Sequence, residues 1–531
     1  MVERSLKLVS GGDAAGGGEA IECHDPATGA HLGSVPVTPP SWLPSIVARG
    51  RDAQRVWRAA SFRERGRVLS LLRERILERA DELCETVVRD AGKTWEHAVM
   101  GELWPVVEKL RWTVAHGERH LSPERVSPGP FVHKRARIEY EPLGVVGVIA
   151  PWNYPLQNFL GPTVPALMAG NAVVIKPSEW VAWSSARIQA LLDEVLEEAG
   201  APRGLVQTVQ GHGRTGAALI GAGIDLVVFT GSHDNGKRVL ASAAETLTPA
   251  ILELGGKDPL IVCDDADLER AAHAVMAGTF INCGQNCLAT ERILVFDAVY
   301  DDFAARVCGL TASLRQGPPV APGAVDVGAI LSPLQLDRIE ELVDDAVRSG
   351  ARVLCGGRRV RGPAGQFFEP TILADVTPAM RIAREETFGP VMLLMRVRGE
   401  REAIRVANGT PFGLSATVAT RSARRARRMA RQLVAGSTSW NDFGLTYMAM
   451  DLPFGGTKGS GFGRLNGRDG LRAFTNVKSV MEDRFPFGFP AKVFPAGTRD
   501  YATARNALRL IYGRGVRARL AALRAFVRDL R

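Results

Sequence analysis

Hydrophobic positions change rhythm along this chain, and each rhythm predicts a different kind of element. Residues 43–121 place apolar side chains at helical spacing, clearest over 62–94, where Arg and Glu stud the outer faces. Residues 135–142, RARIEYEP, alternate charged and apolar and predict a strand. From 143 to 262, short continuous apolar runs (GVVGVIA, AVVIKP, GLVQTVQG, DLVVFTGS and ILEL) alternate with amphipathic stretches. Strands without a polar face must be covered on both sides. The pattern therefore predicts a parallel sheet between helix layers, a doubly wound α/β domain whose ligands sit at the carboxyl ends of the strands. Residues 264–470 repeat the α/β rhythm with longer helices, at 266–282 and 334–350, and predict a second α/β domain. Residues 472–482 predict a strand able to pair with 135–142. Two further helices are expected at 502–512 and 516–530, split by Gly513 and Gly515, after a Pro/aromatic linker, FPFGFPAKVFP. The first 22 residues are polar and Gly-rich and read as a loose lead-in.

A chain of 531 residues, 46% hydrophobic, is long enough for a large core and two or three domains. The start has no apolar core of a signal peptide, and no stretch is long and apolar enough to span a membrane. The seven cysteines are scattered, with no CxxC pair, so neither a disulfide framework nor a metal site is expected, and a reducing, cytoplasmic setting fits. Charge changes the picture only at the end. From Arg484 onward ten Arg and one Lys face Asp500 and Asp529, which accounts for the whole net charge of +9. The main body is close to neutral, and no nucleic-acid partner is expected of it. In the last helix Val516, Leu520, Leu523, Phe526, Val527 and Leu530 form one face, and Arg517, Arg524, Arg528 and Arg531 line another. Such a helix suits an anionic membrane surface, or a docking face on its own core or a partner subunit; both stay open.

Candidate chemistry lies in three segments. In FINCGQNC, 280–287, Cys287 follows a helix pattern and a Gly-containing turn, where a thiol can reach a ligand. Cys283 is the rival nucleophile, and a small buried hydrophobe is the common fate of such a cysteine. In LELGGKDP, Glu253 ends an apolar strand before two glycines; an apolar setting raises a carboxylate's pKa toward that of a general base, though a helix cap or ion-pair partner fits as well. In APWNYP, Asn153 lies between two prolines that fix the backbone, so its amide could donate to a developing oxyanion, or simply make a turn.

Together these segments resemble the aldehyde dehydrogenase superfamily. The likeness is carried by APWNYP at 150–155, GNAVVIKPSE at 170–179, FTGSHDNG at 229–236, LELGGKDP at 252–259, GQNC at 284–287, EETFGPV at 385–391 and LPFGGTKGSGFGR at 452–464, in the family's order over roughly 130–480. The resemblance implies that Cys287 attacks an aldehyde, that the Asn153 amide and the Cys287 backbone N–H hold the oxyanion, and that hydride leaves for a nicotinamide. Glu253 then activates the water that hydrolyses the thioester. It implies an NAD-binding domain over 1–123 and 143–254, a catalytic domain over 255–470, and oligomerisation strands at 124–142 and 471–483 for a homodimer or homotetramer; the basic extension over 484–531 lies beyond the resemblance.

Cofactor contacts are implied for Ile149, Ala150, Pro151, Trp152, Lys176, Glu179, Gly211, Gly231, Ser232, Gly236, Leu254, Glu386 and Phe388. A Glu at 179 accepts from a ribose 2′-hydroxyl and repels a 2′-phosphate, so NAD is expected, with NADP as the alternative. GHGRTG, 211–216, fits the G-x-G-x-x-G pattern, but the resemblance puts the pyrophosphate at 231–236 and makes Gly211 a turn near the adenine side.

The chain departs from many relatives at Pro162, where they have Lys, and at Leu465, where they have Glu. Both groups are thought to assist proton relay, so Glu253 is left as the main base. The segment WNDFGLTYMAMDLPFGG is similar to fatty- and aromatic-aldehyde branches, and the ending near GFGRLNGRDG to a plant and fungal branch. The loop 441–452 is expected to border the substrate entrance; Phe443, Leu445, Tyr447, Met448, Met450 and Leu452 make it apolar, or else pack on a neighbouring subunit. An apolar lining favours a medium- or long-chain or aromatic aldehyde over a semialdehyde. A CoA-acylating relative and an inactive binding protein on the same fold are the rival readings. Glu253 opposes the first, and the retained Cys287, Glu253 and Asn153 oppose the second.

Overall fold

The computed structural model describes residues 19–360, 365–485 and 494–529. They fall into two compact units, one reaching Leu121 and resuming over Glu141–Asn476, the other Ser122–Tyr140 with the chain from Val477.

The apolar runs form the expected sheet. Val145–Ala150, Ala172–Pro177, Val206–Thr208, Leu226–Gly231 and Ala250–Leu254 pair in parallel, with the shared register Val173–Val146–Leu226 at the centre. Val145, Val146, Val173, Val174, Ile175 and Val227 are fully buried, which is why these strands carry no polar face. From Val145–Ala150 the order runs outward through 172–177 and 206–208 on one side and through 226–231 and 250–254 on the other. The chain therefore reverses direction at 145–150, and the crevice at that strand's carboxyl end is the natural ligand site. A short strand from far along the chain, Gly461–Phe462, closes the edge antiparallel to Ala250–Leu254, with Gly461 opposite Glu253.

The second sheet has seven strands, in the order 352–355, 371–374, 391–397, 290–296, 258–262, 415–419, 437–440, all parallel except the first. Its helices include Leu268–Phe280, capped by Asp267 accepting from Arg270 N, and Pro333–Arg348, capped by Ser332. The α/β class is thus as expected.

Two expectations are corrected. The helix read over 62–94 is two helices, Phe62–Glu78 and Ala80–Ala91, because Arg79 leaves the helical conformation at φ −107°, ψ 26°. Residues 20–22 are not lead-in: Ala20–His24 pairs with His31–Pro36. The rest of the expected lead-in, 1–18, and most of the linker, 486–493, lie outside the described residues.

In the second unit Thr475–Asp483, Lys134–Pro142 and Glu124–Val126 form a three-stranded sheet in that order. Arg137 pairs with Glu482 at 2.7 Å and Lys134 with Asp483 at 2.5 Å. The tail forms helices Asp500–Tyr512 and Val516–Asp529, tied by Asn506 Nδ2 donating to Asp529 Oδ2 at 2.7 Å. Leu520, Leu523 and Val527 of the expected apolar face are exposed, while Leu530 and Arg531 lie outside the described residues. Among the described residues no helix is long and apolar enough to cross a membrane.

Candidate active site

A cavity of about 710 Å³ opens at the carboxyl ends of Val145–Ala150, Ala172–Pro177 and Leu226–Gly231, where the strand order reverses. Its wall contains Ile149, Ala150, Pro151, Trp152, Asn153, Lys176, Glu179, Gly231, Ser232, Glu253, Cys287, Glu386 and Phe388.

Three expected contacts stand behind that wall. Gly211, at φ +149°, is a turn whose added Cβ would lie 2.2 Å from Thr215 Oγ1. Gly236 lies in the first turn of helix His233–Glu245, and a Cβ there would meet Leu254 Cδ2 at 2.7 Å. Gly236 and Leu254 therefore seat the helix on the sheet. Sequence reasoning missed other wall residues. Gly213, Arg214 and Gly216 come from the GHGRTG segment, whose pattern was the available signal, and Ala217 follows it directly. Gln335 and Arg338 come from helix Pro333–Arg348, and nothing in the sequence marked them.

The cavity's features fit a dinucleotide. Ser232 caps His233–Glu245 by accepting from Asn235 N at 3.4 Å, and both residues are in the wall, so this helix start offers N–H donors to an anion. At one end Glu179 Oε2 accepts from Lys176 Nζ and Ser178 Oγ, each at 3.3 Å, and His212 Nδ1 lies 3.7 Å from Oε1. Burial pushes the Glu179 carboxyl up, but Lys176 and hydrogen bonds outweigh it and hold the group below its usual range. An ionised acceptor suits a ribose hydroxyl and opposes a phosphate.

At the other end Glu386 Oε1 accepts from Gly256 N at 3.1 Å. Gly255 makes that approach feasible, because a Cβ on it would fall 2.2 Å from Glu386 Oε2. Phe388 stands edge-on to Trp152 at 5.3 Å, and Glu291, itself paired with buried Lys257, accepts from the backbone N–H groups of Thr387 and Phe388.

Cys287 borders the same cavity after an unusual run of backbone. Asn282, Cys283 and Gly284 have φ of 52°, 56° and 69°, a left-handed bend that turns the chain from helix Leu268–Phe280 toward the site. Gly284 is required twice over, since its Cβ would come within 2.1 Å of Gly389 O. The bend is fixed by the Gln285 amide, which donates to Asn282 O and Ala329 O, both at 3.1 Å, and accepts from Leu331 N at 2.9 Å. His97 Nδ1 accepts from Asn282 N at 3.1 Å; burial pushes this imidazole down to about 4 and keeps it neutral for that role. Cys283, the rival, is 1% exposed and absent from the cavity wall.

Glu253 is held between two strands, opposite Thr230 and Gly461. Its Oε1 is buried without a hydrogen-bond partner, and burial pushes the carboxyl up to about 7. It is near enough to Cys287 for the two side chains to interact; burial first, then the Glu253 charge, raises the thiol well above its usual range.

The Asn153 amide is oriented by its neighbours. Its Oδ1 accepts from Asn158 Nδ2 at 3.0 Å, so its Nδ2 faces the cysteine loop and donates to Gln285 O at 3.2 Å. The Asn153 carbonyl accepts from Lys93 Nζ at 2.7 Å and Asn282 Nδ2 at 2.9 Å. Lys93 also pairs with Glu102 at 2.6 Å, both side chains being fully buried. Neither Lys93 nor Glu102 was read from the sequence. Lys93→Met leaves Glu102 unpaired in the interior and is expected to destabilise the fold by about 3–5 kcal/mol, measured by urea unfolding.

Beyond the cavity, the expected loop contributes Tyr447. Its hydroxyl bonds Gln157, its ring stands edge-on to Phe454 at 4.8 Å, and the Cys287 and Glu253 charges act on it. Met450 is buried, whereas Leu445 and Leu452 are exposed.

Comparison with known proteins decides the lineage. The Aldehyde dehydrogenase family profile matches residues 13–480. The chain belongs to the aldehyde dehydrogenase family. An aldehyde dehydrogenase-like protein of Schizosaccharomyces pombe is 38% identical over 505 residues, covering 93% of this chain and 96% of its own. A 4,4'-diapolycopene aldehyde oxidase of a Methylomonas species is 38% identical over 495 residues, covering 93% and 91%. A Staphylococcus aureus betaine aldehyde dehydrogenase crystallised with NAD+ matches this dehydrogenase at TM-score 0.84 and 30% identity, over 90% of this chain and 96% of that one.

Proposed function

We propose that this dehydrogenase oxidises an apolar aldehyde, of medium or long chain or aromatic, to the carboxylic acid, with NAD preferred to NADP. The bound nicotinamide supplies the hydride acceptor. Everything else belongs to the chain's own groups. Cys287 attacks the carbonyl carbon from the cavity wall. Asn153 Nδ2 and the Cys287 N–H donate to the oxygen as it gains charge. Glu253 takes the proton of the water that cleaves the resulting thioester. A carboxylate in that place favours hydrolysis over transfer to CoA.

The observation that carries the substrate class is the apolar character of the loop 441–452, whose Tyr447 feels the Cys287 and Glu253 charges. The relatives' names do not choose, since one is named for diapolycopene aldehyde and another for betaine aldehyde. In an aldehyde panel graded by chain length and read by NADH absorbance, kcat/KM is expected to rise with apolar chain length and to be lower with NADP. A maximum on short or charged aldehydes contradicts the reading, and acyl-CoA formation on adding CoA contradicts the hydrolytic step.

The copies are taken to associate as a dimer or tetramer through strands 124–142 and 471–483. The tail is taken to rest on anionic lipid, because exposed Leu520, Leu523 and Val527 alternate with exposed arginines on Val516–Asp529. The full chain is expected to pellet with anionic vesicles, and the triple variant Arg517→Glu, Arg524→Glu, Arg528→Glu is expected to lose most of that binding. Equal pelleting contradicts it.

A further inference from the structure

One buried lysine has no task in the chemistry above. Lys109, on helix Trp104–Leu121, is 4% exposed, and no hydrogen bond or ion pair joins it to any described residue. The fully buried lysines elsewhere, Lys93 and Lys257, face the buried carboxylates of Glu102 and Glu291. Lys109 faces none: desolvation alone acts on its amine and pushes it down to about 7. An interior amine without an acceptor is costly to keep, so its position calls for a partner that arrives from outside.

The direction of the side chain says where that partner would lie. Nζ of Lys109 is 3.9 Å, and Nε2 of Gln157 3.1 Å, from the point where a side chain on Gly161 would begin. Both donors thus converge on the space left by that glycine, on helix Pro155–Met168. Gln157 contacts the Tyr447 hydroxyl, and Tyr447 lies within the field of Cys287 and Glu253. A line of polar groups therefore leads away from the reacting thiol: Tyr447, Gln157, Lys109. None of the three lines the cofactor cavity. An aldehyde chain that runs past Tyr447 away from that cavity would meet them.

We propose that Lys109 is a specificity-determining residue that donates a hydrogen bond to an uncharged oxygen acceptor, a carbonyl or hydroxyl, carried on the aldehyde's chain beyond the reacting carbonyl. The proposal rests on the reading that the aldehyde extends past Tyr447, and it refines the substrate class to an otherwise apolar chain with one oxygenated position. A site that holds a donor in an apolar setting discriminates strongly against analogues lacking the acceptor, because the donor is then left unpaired.

The test uses the full chain with saturating NAD and pairs of aldehydes of equal length. One member of each pair is a plain alkanal and the other carries an oxygen at the far end. The wild type is expected to favour the oxygenated member at one chain length. Lys109→Met should lower that preference by about tenfold or more, through KM and not kcat, and Lys109→Gln, which keeps a donor, should retain part of it. An unchanged preference ratio in Lys109→Met overturns the proposal, and so does an equal loss on both members. Circular dichroism checks the fold. If the Met variant does not fold, the wild type decides, and equal kcat/KM for both members at every length overturns it. The dependence on length among plain alkanals tests the apolar-substrate reading separately.

Discussion

Cys287→Ala is expected to abolish NADH formation on every aldehyde, a loss of about 10⁴-fold or more, as for removal of a nucleophile acting within a unit. The loss should come without unfolding. Cys287 is only partly buried, and its hydrogen bond to Asn286 Oδ1 is a long one, 3.8 Å. Removing the sulfur should therefore leave the melting temperature near that of the wild type. Cys283→Ala is the matched control. That thiol is fully packed, so its removal should cost about 1 kcal/mol of stability and spare the chemistry. Reversed results would make Cys283 the nucleophile. Cofactor binding, read by fluorescence of added NADH, should persist in both variants.

Glu253→Gln is expected to split the reaction. The carboxylate raises the thiol by its charge, so the amide lowers that obstacle and acylation should continue. The water that deacylates loses its base, and kcat should fall by about 10²–10⁴-fold. The signature is a burst of NADH matching the number of sites, followed by a slow phase. Burial places this carboxyl at about 7, well above its usual 4.5. The base is protonated below that value, so wild-type kcat should rise as pH rises through about 7, and the Gln variant should lack that limb. A burst-free, uniformly slow variant would move Glu253 from deacylation to activation of the thiol.

Much of this arrangement was legible in the sequence, for reasons that differ by element. The strands at 145–150, 172–177 and 226–231 were readable because both faces are buried, which leaves unbroken apolar runs. The break at Arg79 was not, because the amphipathic pattern continues across it while the backbone turns. The strand at Ala20–His24 was hidden by its Gly-rich approach. Cys287, Glu253 and Asn153 were found through their motifs. Lys93, Glu102 and Gln285, which position them, were not. Their roles depend on partners distant in sequence, such as the Asn153 carbonyl for Lys93 and Leu331 for Gln285.

The central claim is that an acyl group passes through Cys287 and leaves with the help of Glu253. Mass spectrometry of Glu253→Gln, quenched after mixing with aldehyde and NAD, tests it directly. The account predicts a mass increase equal to the acyl group, placed by fragmentation on Cys287 and lost in the Cys287→Ala background. An adduct on Cys283, or NADH formed with no adduct at all, would contradict it.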